Sequence, residues 1–548
     1  MKSKICFCII FTGILLSPKI HWAQQRSLND MRSITEKIQL PRFKTDTFNI
    51  ANYGAKADGI TLNTASIQSA MEACSKNGGG VVLIPDGLWL TGPIVFKNNI
   101  NLHLTRGALL LFSKDFDQYP LIATYFEGLQ AVRCQSPISA KKVENIAITG
   151  NGIINSNGDA WRYVKKGKLT ESAWKKLNLS GGVLNSDKNV WYPSQKSLLG
   201  DTEKENDIVS NRKTLSDYEP VKDYLRPNML SFIECKRILL QGVTFENSPA
   251  WGLHPLLCED LTVQNIQVRN PSYAQNGDGI DIESCKNVLV ENSTFATGDD
   301  AICIKSGKNE QGRKRGVATE NVVIRNCVVY EAHGGFVIGS EMSGGVRDIY
   351  VTNCTFIGTD IGLRFKTGRG RGGIVENIFV SDIKMKDIIG EAVKFDMYYG
   401  RENRNTTDAR FPVNEGTPQF RNFYISNVYC NGSERAMSIR GLPEMSIKNI
   451  SFDNVIIQAE NGIDCTDADS LYFSNMELMI KNNNPVISLG DSKNILLSNV
   501  KGGKTAEKFL SISGKSSRNI RVTKNTVPDL KNKIHFSNGA EKKSLLIR

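Results

Sequence analysis

The chain has 548 residues, of which 40% are hydrophobic and 23% charged, and its formal net charge is +12. A globular chain of this length normally divides into several domains, unless it repeats and lets one core grow along an axis. The positive charge admits nucleic acid, anionic lipid or an acidic polysaccharide as a partner, although scattered basic residues are equally typical of charge that serves solubility. Five histidines and the absence of C-x-x-C pairs argue against a structural zinc site.

The first 23 residues have the pattern of a secretory signal peptide. Lys2 and Lys4 precede an apolar run from Ile5 to Leu16, and Ala23 is a small residue at which a signal peptidase could cut. The run is too short to span a bilayer, and no later segment is apolar enough to do so. We therefore expect an exported protein, periplasmic or secreted, without a membrane span. Export favours a polysaccharide over nucleic acid as the partner.

Residues 24–45 are predicted to be a loose leader before a single catalytic domain, which spans residues 46–545. From Thr64 to Cys74 the apolar positions lie three and four apart, the spacing of an amphipathic helix. The open end of a repeat protein needs a cover, so this helix is expected to cap the N-terminal end.

One short phrase returns along the chain: a polar residue, alternating apolar positions, then Asn or Asp. Two copies are R-I-L-L-Q-G-V from Arg237 and N-V-V-I-R-N-C from Asn321. Period-two alternation marks strands with one buried face. Short strands joined by Asn, Gly and Asp turns, repeating every 20 to 30 residues or so, are typical of a parallel β-helix. A leucine-rich repeat is the alternative architecture, but its L-x-x-L-x-L pattern is absent.

Longer steps in the repeat locate three insertions. They lie around residues 307–316, around 398–417, and from about 157 to 228. The largest contains several aromatic residues among many Lys and Asp residues, and we expect an ordered flap there. Six of the twelve cysteines recur within the apolar strand patterns, from Cys235 to Cys354. Although disulfides are common in exported proteins, this spacing predicts a ladder of buried free thiols.

Four polar blocks are spaced to suit such a coil: N-G-D at Asn276, G-D-D at Gly298, A-H-G at Ala332 and R-F-K at Arg364. Winding the chain at the repeat length would bring three carboxylates, one histidine and two cations onto one face: Asp278, Asp299, Asp300, His333, Arg364 and Lys366. A carboxylate pair beside cations suits the hydrolysis of an acidic sugar polymer. Each block alone would more often be a solvated turn or the solvent-exposed face of a strand.

The four blocks resemble those of glycoside hydrolase family 28, the polygalacturonases. That family carries N-T-D, G/Q-D-D, G-H-G and R-I-K in this order on a right-handed parallel β-helix. The segments N-Y-G-A-K-A-D-G at Asn52 and G-G-G-V-V-L-I-P at Gly78 are similar to its opening. The sequence departs from the family pattern at Gly277, Ala332 and Phe365. None of these three positions carries an ionisable group in the family pattern. The resemblance therefore implies an all-β, right-handed parallel β-helix.

The resemblance also implies a reaction: hydrolysis of α-galacturonosyl bonds in pectin with inversion, without a metal or cofactor. It makes Asp299 the general acid, and Asp278 and Asp300 the groups that hold and deprotonate water. Inversion would place the carboxyl groups roughly 6.5–9.5 Å apart. Crowding of three carboxylates should raise the pKa of at least one of them, which keeps an acid protonated. His333 could tune Asp299 or orient the sugar.

The remaining assignments concern substrate binding to an acidic polysaccharide or oligogalacturonide. The residues expected to contact it are Asn276, Lys305, Arg364 and Lys366, the last two through a galacturonate carboxylate. Asp281 has the same local pattern as Asp278 and is assigned to turn structure. Trp251 and His254 either line subsites or simply pack.

Insertions beside the cleft predict a blocked end, and hence exo attack that releases galacturonic acid from the non-reducing terminus. Within the same class, a rhamnogalacturonan or xylogalacturonan hydrolase is the alternative. Two further alternatives are a β-elimination lyase and a non-catalytic polysaccharide-binding β-helix.

Overall fold

The computed structural model describes residues 28–204, 212–400, 409–503 and 506–548. Within them, 33 strands form one sheet whose strands pair in parallel and which winds into three faces. The predicted parallel β-helix is therefore confirmed. The predicted signal peptide lies outside the described residues.

The strands fall into faces A, B and C, in chain order within each coil. Face A has the strands Thr47–Asn49, Gly80–Ile84, Ile100–Leu104, Glu144–Gly150, Lys236–Gln241, Glu259–Gln264, Lys286–Glu291, Thr319–Arg325, Arg518–Thr523 and Leu545–Ile547. Face B has Gly87–Thr91, Ala108–Phe112, Ile153–Asn155, Thr244–Glu246, Gln267–Arg269, Thr294–Ala296 and Val328–Ala332. Face C has Ile94–Val95, Ile138–Lys141, Leu230–Ile233, Leu253–Leu256, Ile280–Glu283, Asp300–Lys305, Gly334–Ile338, Leu363–Lys366, Leu510–Ser513 and Ile534–Ser537.

Six longer strands bend around the corners and contribute to two or three faces. They are Val346–Thr359, Ile374–Asp396, Gln419–Arg440, Ile447–Thr466, Ala468–Gly490 and Lys493–Gly502. Two antiparallel elements stand outside the coil. One is a hairpin of Leu121–Phe126 and Leu129–Cys134, and the other a small sheet of Val164–Lys165, Val183–Leu184 and Val190–Tyr192.

Five α-helical segments accompany the strands in the described part of the chain. They are residues 28–37, Thr64–Lys76, Glu171–Leu179, Gln195–Glu203 and Asn309–Arg315. Short 3₁₀ turns occupy Ile50–Tyr53, Phe116–Gln118, Gly158–Ala160, Lys166–Lys168, Leu215–Tyr224, Leu530–Lys533 and Lys542–Ser544. No helix of the described residues is long and apolar enough to cross a membrane.

The period-two pattern of the sequence fills the interior of the coil. Ile238 pairs with Leu261, Leu261 with Val288, and Val288 with Val322, so apolar residues stack in a column through four coils. None of the four side chains is more than 1% exposed. Full burial of such a side chain stabilises the fold by about 1.5–3 kcal/mol. The core therefore grows coil by coil, which lets one domain reach this length.

Asparagine side chains reinforce one corner of the coil. Asn287 and Asn321 adopt left-handed backbone angles with φ of 56°, and the Asn321 side chain donates to Asn287 at 3.2 Å. The same bond joins Asn449 to Asn422 at 2.7 Å. Asn tolerates this conformation better than most residues, and its amide can both donate and accept along a stack. The recurring Asn of the repeat is thus a corner residue.

The N-terminal part contains one confirmed and one incorrect expectation. The predicted helix is present as Thr64–Lys76, and its buried residues, among them Ile67 and Met71, join the main core. The expected loose leader is partly wrong, because residues 28–37 form a helix against the outside of face A. Ile34 packs there with the ring of Tyr350, whose hydroxyl donates to Asp30 at 2.9 Å. The ten cysteines of the described residues are buried and free, which confirms the prediction made for the six from Cys235 to Cys354.

Candidate active site

The predicted site residues meet at face C. Asp278 lies two residues before Ile280–Glu283, and the register between that strand and the next places it opposite Asp300. The Gly279 amide donates to the Asp300 carbonyl at 2.9 Å, which extends the ladder to this point. Arg364 lies two coils beyond Asp300, on Leu363–Lys366, and pairs in register with Val337 of the coil between them. Parallel register alone therefore gathers residues that are distant in sequence.

The three carboxylates form one cluster. Oxygen atoms of Asp278, Asp299 and Asp300 lie within 4.8 Å of one another. Asp278 and Asp300 are buried, at 3% and 1% exposure, whereas the Asp299 side chain is 23% exposed and faces the cleft. These oxygens are thus closer together than the 6.5–9.5 Å expected between the carboxyl groups. Asp278 and Asp300 are directly in register on adjacent coils, without the sideways offset that a wider gap requires.

Two cations hold Asp300. Arg364 Nη1 donates to its Oδ1 at 3.0 Å, and Lys366 Nζ donates to its Oδ2 at 2.7 Å. Burial alone would lower the pKa of Lys366, but the Asp300 carboxylate outweighs burial and raises it. Lys366 is therefore charged. Both predicted cations belong to the site, and their first partner is a carboxylate of the protein.

His333 and Asp299 form a hydrogen-bonded pair. His333 Nδ1 lies 3.1 Å from Asp299 Oδ1, and the His333 amide donates to the Asp299 carbonyl at 3.0 Å. The hydrogen bond with Asp299 raises the pKa of His333. Burial raises the pKa of Asp299, but His333, Lys366 and Arg364 outweigh burial and lower it. The pair therefore shares one dissociable proton, which resides on the His333 imidazole and leaves the Asp299 carboxylate ionised.

The carboxyl group with a raised pKa belongs to Asp278 and not to Asp299, the predicted acid. Burial, with the nearby charges of Asp281 and Asp299, holds the pKa of Asp278 well above its ordinary value. Burial and crowding together thus have the expected effect on one member of the cluster. The pKa of Asp299 is not raised, because Asp299 alone in the cluster has a histidine partner.

Asp281 is a buried residue beneath the site, so its assignment to a turn is wrong. It lies within Ile280–Glu283, is wholly buried, and neither carboxylate oxygen has a hydrogen-bond partner among the described residues. Its nearest cation is Lys305, with Nζ 3.6 Å from Oδ1. Burial raises the pKa of Asp281 well above its ordinary value.

The predicted contact residues around the cluster have protein partners. Lys305 is 3% exposed, binds Glu341 at 2.9 Å and lies over the Trp251 ring. The Asn276 side chain accepts from Arg226 at 2.9 Å. His254 is buried and lies 2.9 Å from Glu283, so it packs rather than lining the cleft.

Two pockets meet over the carboxylates, and Asn276, Asp299 and Glu127 line both. The strand-start pocket, of about 280 Å³, lies before the face C strands; its lining includes Arg133, Tyr163, Arg226, Tyr273 and His333. The strand-end pocket, of about 720 Å³, extends toward the strand ends; its lining includes Trp251, Lys305, Lys308, Lys366 and Arg371.

The strand-end pocket is walled by two elements outside the coil. The Gln130 amide of the Leu121–Cys134 hairpin donates to the Gln311 side chain of helix Asn309–Arg315 at 2.9 Å. At the hairpin tip, Glu127 binds Lys308 at 3.2 Å. Sequence reasoning located the 307–316 insertion but missed the hairpin, whose strands pair only with each other and follow no repeat.

A β-helix whose cleft holds buried carboxylates, a histidine–carboxylate pair and several cations defines an enzyme that acts on carbohydrate polymers. Accessible acid, buried acids and cations converge at one point, so proton transfer and binding of an anionic sugar can occur together. This combination distinguishes the site from an ordinary binding surface, which has no reason to gather three carboxylates.

Known proteins resemble this chain along most of its length. Residues 219–417 match the family model for Glycosyl hydrolases family 28. A probable polygalacturonase of Vitis vinifera is 30% identical over 420 residues, 75% of this chain and 74% of the relative. An exo-poly-alpha-D-galacturonosidase of Dickeya chrysanthemi is 27% identical over 524 residues, 92% and 78% of the two chains.

A solved structure also resembles this chain. That of a hyperthermoactive exopolygalacturonase from Thermotoga maritima has a TM-score of 0.69 and 31% identity, covering 82% of this chain and 96% of the other. The chain therefore belongs to glycoside hydrolase family 28, and it is a glycoside hydrolase.

Proposed function

We propose that this enzyme hydrolyses α-galacturonosyl bonds in pectin from a chain end, with inversion. The observation that carries the proposal is the accessible Asp299 beside two buried carboxylates and two cations. The cations suit a substrate with one carboxylate per sugar. The names of the relatives from Vitis vinifera, Dickeya chrysanthemi and Thermotoga maritima, all polygalacturonases or galacturonosidases, support the same substrate class.

Asp299 and His333 together would supply the proton to the leaving oxygen. In the free enzyme the proton resides on His333, because Lys366 and Arg364 favour the ionised form of Asp299. A galacturonate carboxylate bound near these cations would offset their charge and raise the pKa of Asp299. The proton can then pass along the 3.1 Å contact to Asp299 and on to the glycosidic oxygen.

Asp278 and Asp300 would hold the attacking water, and Asp300 would deprotonate it, because the raised pKa of Asp278 favours its protonated form. Asp300 is bound by Arg364 and Lys366, which hold it in one orientation. Asp278 and Asp300 both line the strand-end pocket, so a water in that pocket would contact both carboxyl groups. A carboxylate held by two cations is a poor nucleophile toward carbon. This favours direct attack by water over a covalent intermediate.

The two pockets support attack at a chain end. The hairpin and helix Asn309–Arg315 wall the strand-end side. On the opposite side, Tyr163, Lys165 and Arg226, which belong to the 157–228 insertion, stand over the strand-start pocket. A cleft enclosed in this way suits the end of a polymer better than its middle.

A product profile on de-esterified homogalacturonan tests the proposal. We expect galacturonic acid as the main product from the earliest times, with a slow fall in viscosity. Mid-length oligomers with a rapid fall in viscosity would contradict exo action. Faster release from rhamnogalacturonan or xylogalacturonan fragments would reassign the substrate.

The histidine–carboxylate pair predicts the pH dependence of kcat/KM. His333 has a raised pKa, so its charged form is complete below the ordinary value of 6.5 and is lost as pH rises through the raised value. Asp299 has a lowered pKa, so its charged form is complete above 3.8 and is lost only as pH falls through the lowered value. The pair is therefore intact in mildly acidic solution, where we expect maximal kcat/KM.

Replacement of the histidine tests this assignment. In His333→Gln the alkaline fall of kcat/KM should move or disappear, because the group that titrates there is gone. An alkaline limb unchanged in position would exclude His333 as its source.

The domain limits and the export remain proposals. We propose that residues 46–545 form one catalytic domain and that residues 1–23 are removed on export. N-terminal sequencing of protein recovered outside the cytoplasm tests the second point.

A further inference from the structure

We propose that the strand-start pocket is a second anion subsite, built outside the repeating coil, in which Arg133 binds the carboxylate of a hexuronate unit. The inference rests on the proposed function, since it concerns the same substrate and the same cleft. It goes beyond that function because it assigns specificity to a residue of the hairpin and to the 157–228 insertion.

Arg133 is a buried cation, and two of its side-chain nitrogens have no hydrogen-bond partner among the described residues. Its side chain is 3% exposed, the two nitrogens are Nε and Nη2, and its guanidinium lies 3.6 Å over the Phe126 ring. Burial lowers the pKa of Arg133 to about 10, so it is still charged in neutral solution. A buried charge without an ion-pair partner is costly, and a ligand carboxylate in the pocket that Arg133 lines would offset that cost.

The rest of the lining adds positive charge. Arg226 donates to the Pro249 and Gln275 carbonyls and to Asn276, and in the described residues it has no carboxylate within ion-pair distance. Lys165 and Lys168 of the insertion stand exposed at the rim.

The carboxylates of the lining already have cationic partners. Glu127 binds Lys308 at 3.2 Å, and Asp299 is hydrogen-bonded to His333 at 3.1 Å. The pocket therefore has an excess of positive charge at Arg133 and Arg226.

Position and size indicate a sugar unit of the substrate rather than an unrelated anion. The pocket shares Asp299 with the catalytic cluster, so a ligand there is continuous with the scissile bond. Its volume of about 280 Å³ is at the small end of the range of ligand pockets, roughly 300–1,000 Å³, which suits one unit and not a polymer. Tyr163 and Tyr273 line it and contribute aromatic surface.

Steady-state kinetics on trigalacturonate with the unaltered enzyme, Arg133→Met and Arg133→Lys tests the proposal. Loss of a charged hydrogen-bonded contact should raise KM in Arg133→Met by roughly 10- to 100-fold, with kcat changed far less. Arg133→Lys, which retains the charge, should recover part of the loss. Lys175→Met is the matched control, because Lys175 is exposed on helix Glu171–Leu179 and does not line the pocket.

Calorimetric titration with galacturonate and with neutral galactose separates this inference from the proposed function. Galacturonate should bind the unaltered protein more tightly than galactose, and Arg133→Met should remove most of that preference even if no polymer is hydrolysed. A folded Arg133→Met with unchanged KM and unchanged preference would overturn the subsite.

If Arg133→Met does not fold, trigalacturonates with one terminal carboxylate reduced to the alcohol, assayed on the unaltered enzyme, decide the matter. Reduction at one of the two ends should raise KM to a similar degree. Equal KM values for all forms would overturn the proposal.

Discussion

Asp299→Asn is expected to lower kcat by roughly 10²- to 10⁴-fold, the range that general acid catalysis contributes. The amide has the shape of the carboxyl and can still bond to His333, so the fold and substrate binding should be preserved. It cannot, however, supply a proton to the leaving oxygen. Steady-state kinetics on oligogalacturonates gives kcat and KM separately, and we expect KM to change little.

Asp360→Asn is the control for this variant. Asp360 approaches the other ring nitrogen of His333 at 3.8 Å, and its side chain is 48% exposed. Solvent screens so open a contact, and we expect a small effect on kcat. A kcat for Asp299→Asn within tenfold of the unaltered enzyme would remove Asp299 from the acid role.

Lys366→Met is expected to abolish most activity and also to lower the free energy of unfolding by about 3 kcal/mol. Removal of one partner from a buried ion pair typically costs roughly 3–5 kcal/mol because the remaining charge stays buried. Arg364 still holds Asp300 at 3.0 Å, which favours the low end. Denaturant titration measures the change.

A double variant separates the ion pair from simple packing. In Asp300→Asn with Lys366→Met the buried carboxylate charge is also gone, while Arg364 loses its charged partner, so only part of the lost stability should return and activity stays absent. Lys384→Met, on the exposed side of Ile374–Asp396, should stay within about 0.5 kcal/mol of the unaltered protein. Equal stability of Lys366→Met and Lys384→Met would contradict the role of the buried pair.

The fold could be predicted because its information is local and repeated. Alternating apolar residues fix which face of each strand is buried, and asparagines such as Asn287 and Asn321 mark the same corner on successive coils. The four polar blocks were placed on one face by the same reasoning, because parallel register converts repeat length into proximity. Asp278 and Asp300 meet for this reason.

The electrostatics of the site could not be predicted in this way. Asp278 and Asp281 look alike in the sequence, yet one lines the cleft and the other is wholly buried beneath it. The proton of the Asp299–His333 pair resides on His333 because of Arg364 and Lys366, which lie on the coil after His333. A sequence pattern does not show how strongly those cations act on the pair. The sequence did not mark Arg133 as a site residue, because its hairpin follows no repeat. The hairpin packs through Phe126 against Trp251.

The most direct test of hydrolysis at this site is the homogalacturonan digest run in water enriched in heavy oxygen. If Asp278 and Asp300 activate water while Asp299 protonates the leaving oxygen, each cleaved bond should place one heavy oxygen on the anomeric carbon of a saturated product. That carbon should first appear with inverted configuration by magnetic resonance. Unsaturated products that absorb ultraviolet light and carry no heavy oxygen would contradict hydrolysis at this site.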